Sequence, residues 1–207
     1  MSPPLRLAES LVSRLCHDLS GQLGAIMGAT ELAAAEQGAE ATAFAAETAA
    51  TLGRRLRLLR AAWGGDGAGL APTELLALIR SLPGRAVRLD IAGLAPSPQF
   101  GPPAARVMLN LLLLASESLP AGGEIRLVGS ADTQVALSIA GPRAAWPAGL
   151  AGWLADPDSA WAAVDDPRRV QAPLTALLVQ AAGLRASLLF AATPADAPPP
   201  LLLDLAG

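Results

Sequence analysis

The chain has 207 residues, 52% of them apolar but only 3% aromatic, with 15 basic against 18 acidic residues and a net charge of −3. That length suits one or two domains, and no basic stripe interleaved with aromatics marks a nucleic-acid surface. Its one cysteine, Cys16, excludes an intrachain disulfide, and no apolar run approaches the ~20 residues that span a bilayer. The first residues lack the apolar core of a signal peptide, so a soluble, cytoplasmic protein is expected.

Pro3-Pro4 precede a first predicted helix, roughly 5–36. Leu11, Leu15, Leu19 and Leu23 recur at i+4, with Val12 and Ile26 alongside, as one apolar stripe. His17, the only histidine, falls on the far side. Its face is read at i±3, i±4 and i±7 as Ser10, Ser13, Arg14, Ser20, Gly21 and Gly24, with Gly28 further along. These side chains are mostly short, which predicts an exposed imidazole. A lone histidine on a polar helix face is ordinarily a solvated side chain. The glycines argue for more, because each costs a helix about 1 kcal/mol relative to alanine. Close approach of another protein explains them; close helix packing explains them equally. Cys16 and His17 are adjacent and point in different directions, so they make no structural zinc site.

Glu36-Gln37-Gly38 break this helix, and a second follows over roughly 40–63, with Phe44, Leu52, Leu56, Leu59 and Trp63 on its apolar side. Arg54, Arg55, Arg57 and Arg60 read as its solvated face. The glycine-rich run from Gly64 to Gly69 is a linker. Two long helices cannot bury both stripes alone, and a four-helix bundle made by two copies is the usual solution. Residues 1–66 are therefore expected to form a dimerising hairpin and residues 67–207 a second domain.

That second domain alternates. A helix is predicted from Pro72 to about Leu82, a strand over Val87 to Ile91, and a helix over about 102–119. A hairpin follows, Glu124 to Ser130 and Thr133 to Ala140, turning at Ala131-Asp132. Trp146 to Ala163 holds one or two short helices broken by Pro157. A helix over Pro173 to Gly183 and strands over Arg185 to Ala192 and Leu201 to Leu205 close the chain. Helices on one face of a mixed sheet make an α/β sandwich, and the whole chain is α+β.

Two stretches resemble known families. His17-Asp18-Leu19 with Leu23 and Ile26 resembles the H-box of histidine kinase dimerisation domains. In its fuller form, Arg14-Leu15-Cys16-His17-Asp18-Leu19 with Gly21 and Gly24-Ala25-Ile26 more closely resembles the ChpT-like histidine phosphotransferases of alphaproteobacterial phosphorelays. There the residue after Gly21 is typically proline; here it is Gln22. In the second domain, Arg106 to Ala115 resembles the N-box of the GHKL ATP-binding domain, with Asn110 in the place of the first asparagine. The metal-holding asparagine is replaced by Leu114, and the following basic position by Glu117. Leucine offers no oxygen to a hard cation. The strand to Ala140 runs into Gly141-Pro142-Arg143 with no adenine-reading aspartate, and Val170 to Leu174, with Pro173, stands where a glycine turn would cradle phosphates.

The resemblance implies a degenerate ATPase-like domain and a histidine phosphotransferase without autokinase activity. A phosphoryl group passes through His17 between response-regulator receiver domains, including that of a hybrid histidine kinase. No cofactor belongs to this chain; the receiver brings Mg²⁺. Ser13, Arg14, Asp18, Ser20, Gly21 and Gly24 would form the docking face, Arg14 meeting phosphate or a receiver carboxylate. Asp18 either orients the imidazole or has no role. The rivals are a dimeric scaffold that docks receivers without phosphate chemistry and a divergent histidine kinase.

Overall fold

Two long helices dominate the computed structural model, which describes residues 2–34, 38–64, 67–79, 87–95, 99–190 and 197–206. Helix α1 spans Pro3–Ala34 and α2 spans Gly38–Trp63, and they pack side by side as a hairpin. Prolines at the start of α1 cost nothing, because first-turn N–H groups have no intrahelical partner. The expected break at 36–38 lies largely outside the described residues, as do 65–66 of the glycine run and the last three residues of the predicted third helix.

Helix α3, Pro72–Ile79, is closed at its start by Glu74, whose carboxylate accepts the Ala71 N–H at 2.7 Å. Strand β1, Val87–Leu94, leads to α4, Pro102–Glu117. Next come β2, Gly123–Gly129, and β3, Gln134–Ala140. The predicted ambiguity around Pro157 resolves into two short helices, α5 Leu150–Ala155 and α6 Pro157–Ala162. Asp156 caps α6 by accepting the N–H groups of Asp158 and Ser159. Helix α7 spans Gln171–Ala181, starting two residues before the expected Pro173, which a first turn tolerates. Strands β4, Arg185–Leu188, and β5, Leu201–Asp204, complete the chain.

The sheet order is β1-β2-β3-β5-β4, parallel between β1 and β2 and antiparallel elsewhere. Alternation fixes its inner face. Ile125 and Leu127, Val135, Leu137 and Ile139, and Leu201 and Leu203 point inward and are buried. On the outer face Arg126 bridges Asp90 at 2.9 Å and Glu124 at 2.8 Å. Helix α4 is buried from Val107 to Ser116, which explains its all-round apolar sequence. It is pressed between the sheet, α7 and α2.

The hydrophobic core is one cluster that runs from the sheet through α4 and α7 to Leu58, Leu59 and Ala62 of α2. Leu7, Leu11 and Leu15 of α1 pack against it. The predicted leucine stripe is thus split. Leu11 and Leu15 face the α/β layer, whereas Val12 and Leu23 are 60% and 48% exposed. On α2 the side turned to this core is Leu58, Leu59 and Ala62, while Phe44 and Leu56 of the predicted apolar side are exposed in the single chain.

The end of α2 is held by side chains from α4. Arg106 donates to the carbonyls of Ala62 and Trp63 at 3.3 and 3.0 Å. The Asn110 amide donates to the Ala62 carbonyl at 2.7 Å. A helix leaves its last carbonyls without intrahelical partners, and here the neighbouring layer supplies donors.

Candidate functional site

The site is built on α1. The His17 side chain is 80% exposed, as its helical position predicts. Its Nδ1 lies 3.6 Å from Asp18 Oδ1, and Nε2 has no hydrogen-bond partner among the described residues. Asp18 is fixed from the other side, since Arg55 Nη2 of α2 donates to Asp18 Oδ2 at 2.5 Å. Asp18 and Arg55 are both part-buried. This corrects the reading of the arginine cluster: Arg54, Arg57 and Arg60 are solvated, but Arg55 faces α1 and spends its charge on Asp18.

The remaining predicted residues divide. Ser13 and Ser20 are exposed, and Ser20 Oγ donates back to the Cys16 carbonyl at 2.7 Å. Gly21 and Gly24 are exposed, and a Cβ built at Gly21, Gly24 or Gly28 would meet no atom of the chain within 4 Å. No close packing within the chain therefore requires glycine at these positions. Ser10 shares the face by helical arithmetic but is buried, and Arg14 is only 15% exposed. Arg14 forms an ion pair with Glu117, at the end of α4. The face beside His17 is thus bare on its C-terminal side and walled on its N-terminal side.

That wall comes from the α/β layer. Ser13, Arg14, His17 and Asp18 line a hollow of about 380 Å³ together with Asp166, Pro167 and Arg168, from the turn that precedes α7. Asp166 organises the turn. Its Oδ1 accepts the Arg168 N–H at 2.8 Å, and its carbonyl accepts the Arg169 N–H at 3.0 Å. In the sequence alone these three residues carry no mark of the site. An Asp-Pro pair signals a turn, but nothing local places it beside a histidine so far back in the chain.

The profile of the histidine phosphotransferase C-terminal domain matches residues 72–193, more than half of the chain. The chain belongs to the histidine phosphotransferase family. A solved bacterial phosphotransferase shares the fold, with a TM-score of 0.70 and 23% identity over 97% of this chain and 95% of that one. No curated protein matches the sequence. Within this histidine phosphotransferase the matched region runs from α3 through β4, so it includes the Arg168 turn and leaves the hairpin outside.

A second hollow, about 540 Å³, adjoins the first through Arg14 and Arg168. Leu114, Glu117 and Ser118 of the α4 end line it, with Trp153 and Ala172 opposite. Leu114 is buried and apolar. Asn110, matched in sequence to the first N-box asparagine, is fully buried and turned toward Ala62. Its Oδ1 accepts from Gln171 Nε2 at 3.0 Å, and Gln171 also donates to Thr175 Oγ1 at 3.2 Å. A packed amide and hydroxyl network thus stands at the start of α7. Gly141, after β3, is pinned just as closely: a Cβ there would lie 2.5 Å from the Gly122 carbonyl. Among the described residues no group of three or more His, Cys, Asp or Glu side chains could hold a metal ion, and no helix is long and apolar enough to cross a membrane.

Proposed function

We propose that this protein relays a phosphoryl group between receiver domains through His17. The observation that carries the reading is the geometry of the imidazole. It is the only histidine, it stands out from a helix, and its Nδ1 side faces a fixed carboxylate. A neutral imidazole with its proton on Nδ1 presents the Nε2 lone pair outward. Nε2 attacks the phosphorus of an aspartyl phosphate on the donor receiver. The N–P bond forms as the P–O bond breaks, and the aspartate leaves with the electron pair as a carboxylate. The ring keeps its Nδ1 proton and becomes cationic, and the Asp18 carboxylate offsets that charge. Transfer to the second receiver runs the same step in reverse. Such transfers pass through a loose transition state and depend mainly on positioning and charge neutralisation.

The receivers, one of them from a hybrid histidine kinase, bring Mg²⁺. They dock over Ser13, Ser20, Gly21 and Gly24, where open space lets a helix approach. ATP has no part in this cycle: the buried Leu114 and the packed Asn110–Gln171–Thr175 network support a domain that no longer takes nucleotide. The protein works in the cytoplasm as a homodimer. Leu5, Val12, Leu23 and Met27 on α1, with Phe44 and Leu56 on α2, expose the apolar surface that a second hairpin would cover. The test is incubation with a phosphorylated receiver. The wild type should gain an acid-labile, base-stable label and His17→Ala none. A labelled His17→Ala would overturn the assignment.

A further inference from the structure

We infer that Arg168 binds the phosphoryl group carried by His17, an assignment that rests on the relay reading above. The hollow beside the imidazole has one wall from α1 and one from the turn before α7. Four charged side chains line it, and three of them are answered. Arg14 pairs with Glu117, Asp18 with Arg55, and Asp166 with Arg169 at 4.0 Å. Arg168 makes no ion pair among the described residues and is exposed. Arg168 is therefore the cation of this lining that no carboxylate of the described residues engages, and it shares the hollow with His17.

The turn delivers that charge from a defined place. Pro167 restricts the backbone, and Asp166 holds the N–H of Arg168. A phosphoryl group on Nε2 carries up to two negative charges and three acceptor oxygens. A guanidinium can meet two of them with its planar fork. Arg14 sits one turn before the histidine and would serve by sequence position, but its Nη2 is taken by Glu117 and its Nη1 is buried. The α/β layer supplies the cation instead. Arg168 touches the phosphoryl oxygens, while the bonds that form and break are those at phosphorus.

The experiment compares wild type, Arg168→Ala and Arg168→Lys after loading with phosphoramidate, a small donor that needs no protein docking surface. Two readouts are taken: the loading rate, and the pH titration of the bound phosphoryl followed by phosphorus NMR. A neighbouring guanidinium favours the dianion, so the phosphoryl should lose its second proton at least about half a pH unit lower in wild type than in Arg168→Ala. Loading of Arg168→Ala should be about threefold or more slower, with Arg168→Lys between the two. Equal titration in wild type and Arg168→Ala would overturn the assignment. So would unchanged titration with slower transfer from a phosphorylated receiver, because Arg168 would then serve docking alone. If a phosphorylated receiver labels no histidine in wild type, the relay reading fails, while the phosphoramidate comparison still reports on Arg168.

Discussion

Replacing Asn110 by alanine should destabilise the whole protein rather than disturb a ligand. The side chain is fully buried and donates to the carbonyls of Ala62 at 2.7 Å and Arg106 at 2.9 Å. Its oxygen accepts from Gln171 at 3.0 Å. Truncation leaves some of these groups served. The Ala62 carbonyl keeps Arg106 Nε at 3.3 Å, and Gln171 keeps Thr175 at 3.2 Å. The net loss is then near two hydrogen bonds at roughly 1 kcal/mol each, plus the void left by the amide, or about 2–4 kcal/mol in all. Asn110→Asp should cost more, because it sets a carboxylate against the Ala62 carbonyl with no N–H to offer. Urea denaturation followed by far-ultraviolet circular dichroism measures both. A shift below about 0.5 kcal/mol for Asn110→Ala, the range of a neutral surface change, would refute the argument that this residue ties α4 to α2.

Three further outcomes are expected. Leu23→Glu and Leu56→Glu should sediment as folded monomers with a lowered melting temperature, because the partner copy stabilises the native state, whereas Leu15→Glu should unfold the chain, because Leu15 packs on the shared core; a wild type that is monomeric at micromolar concentration would sink the bundle. Calorimetry with Mg-ATP at millimolar concentration should give no saturable heat, and a low-micromolar dissociation constant would revive the kinase reading. Gly24→Ala should stabilise the protein by up to about 1 kcal/mol, since its Cβ enters open space. Gly24→Arg should keep the melting temperature and lose transfer. Transfer that survives would show that receivers approach from elsewhere, and stability lost along with transfer would point to packing in the dimer.

What the sequence shows and what it hides follow the range of the interactions. Elements set by local periodicity were legible: the two long helices, the β2–β3 hairpin at Ala131-Asp132, and the break at Pro157. The placement of β5 between β3 and β4 was not, because pairing partners leave no mark on alternation. Helical arithmetic put Ser10 on the His17 face, and it does lie there. Its burial comes from a neighbour that the spacing cannot name. The same holds for Arg14, whose partner Glu117 is 103 residues away, and for Arg55, which looks no different from Arg54 or Arg57 in sequence. His17 was legible because exposure follows from the helix alone. Arg168 was not, because its meaning depends on which turn the fold brings to the histidine. Asn110 shows a third case: its sequence matches the first asparagine of the N-box, and the fold uses its amide as a tie between layers.

The capping of α2 by Arg106 and Asn110 bears on how often a partner must be met. Swinging the α/β layer away from the hairpin would strip Ala62 and Trp63 of their donors and open the core at Leu58 and Leu59. Both walls around His17 are therefore in place before any encounter, and the entropy of arranging them is lost once, during folding. In the proposed relay each phosphoryl group requires two encounters, one to load and one to unload. A hinged wall would add its ordering cost to both, at the expense of affinity and of association rate. A welded one lets two different receivers meet the same preformed surface in turn.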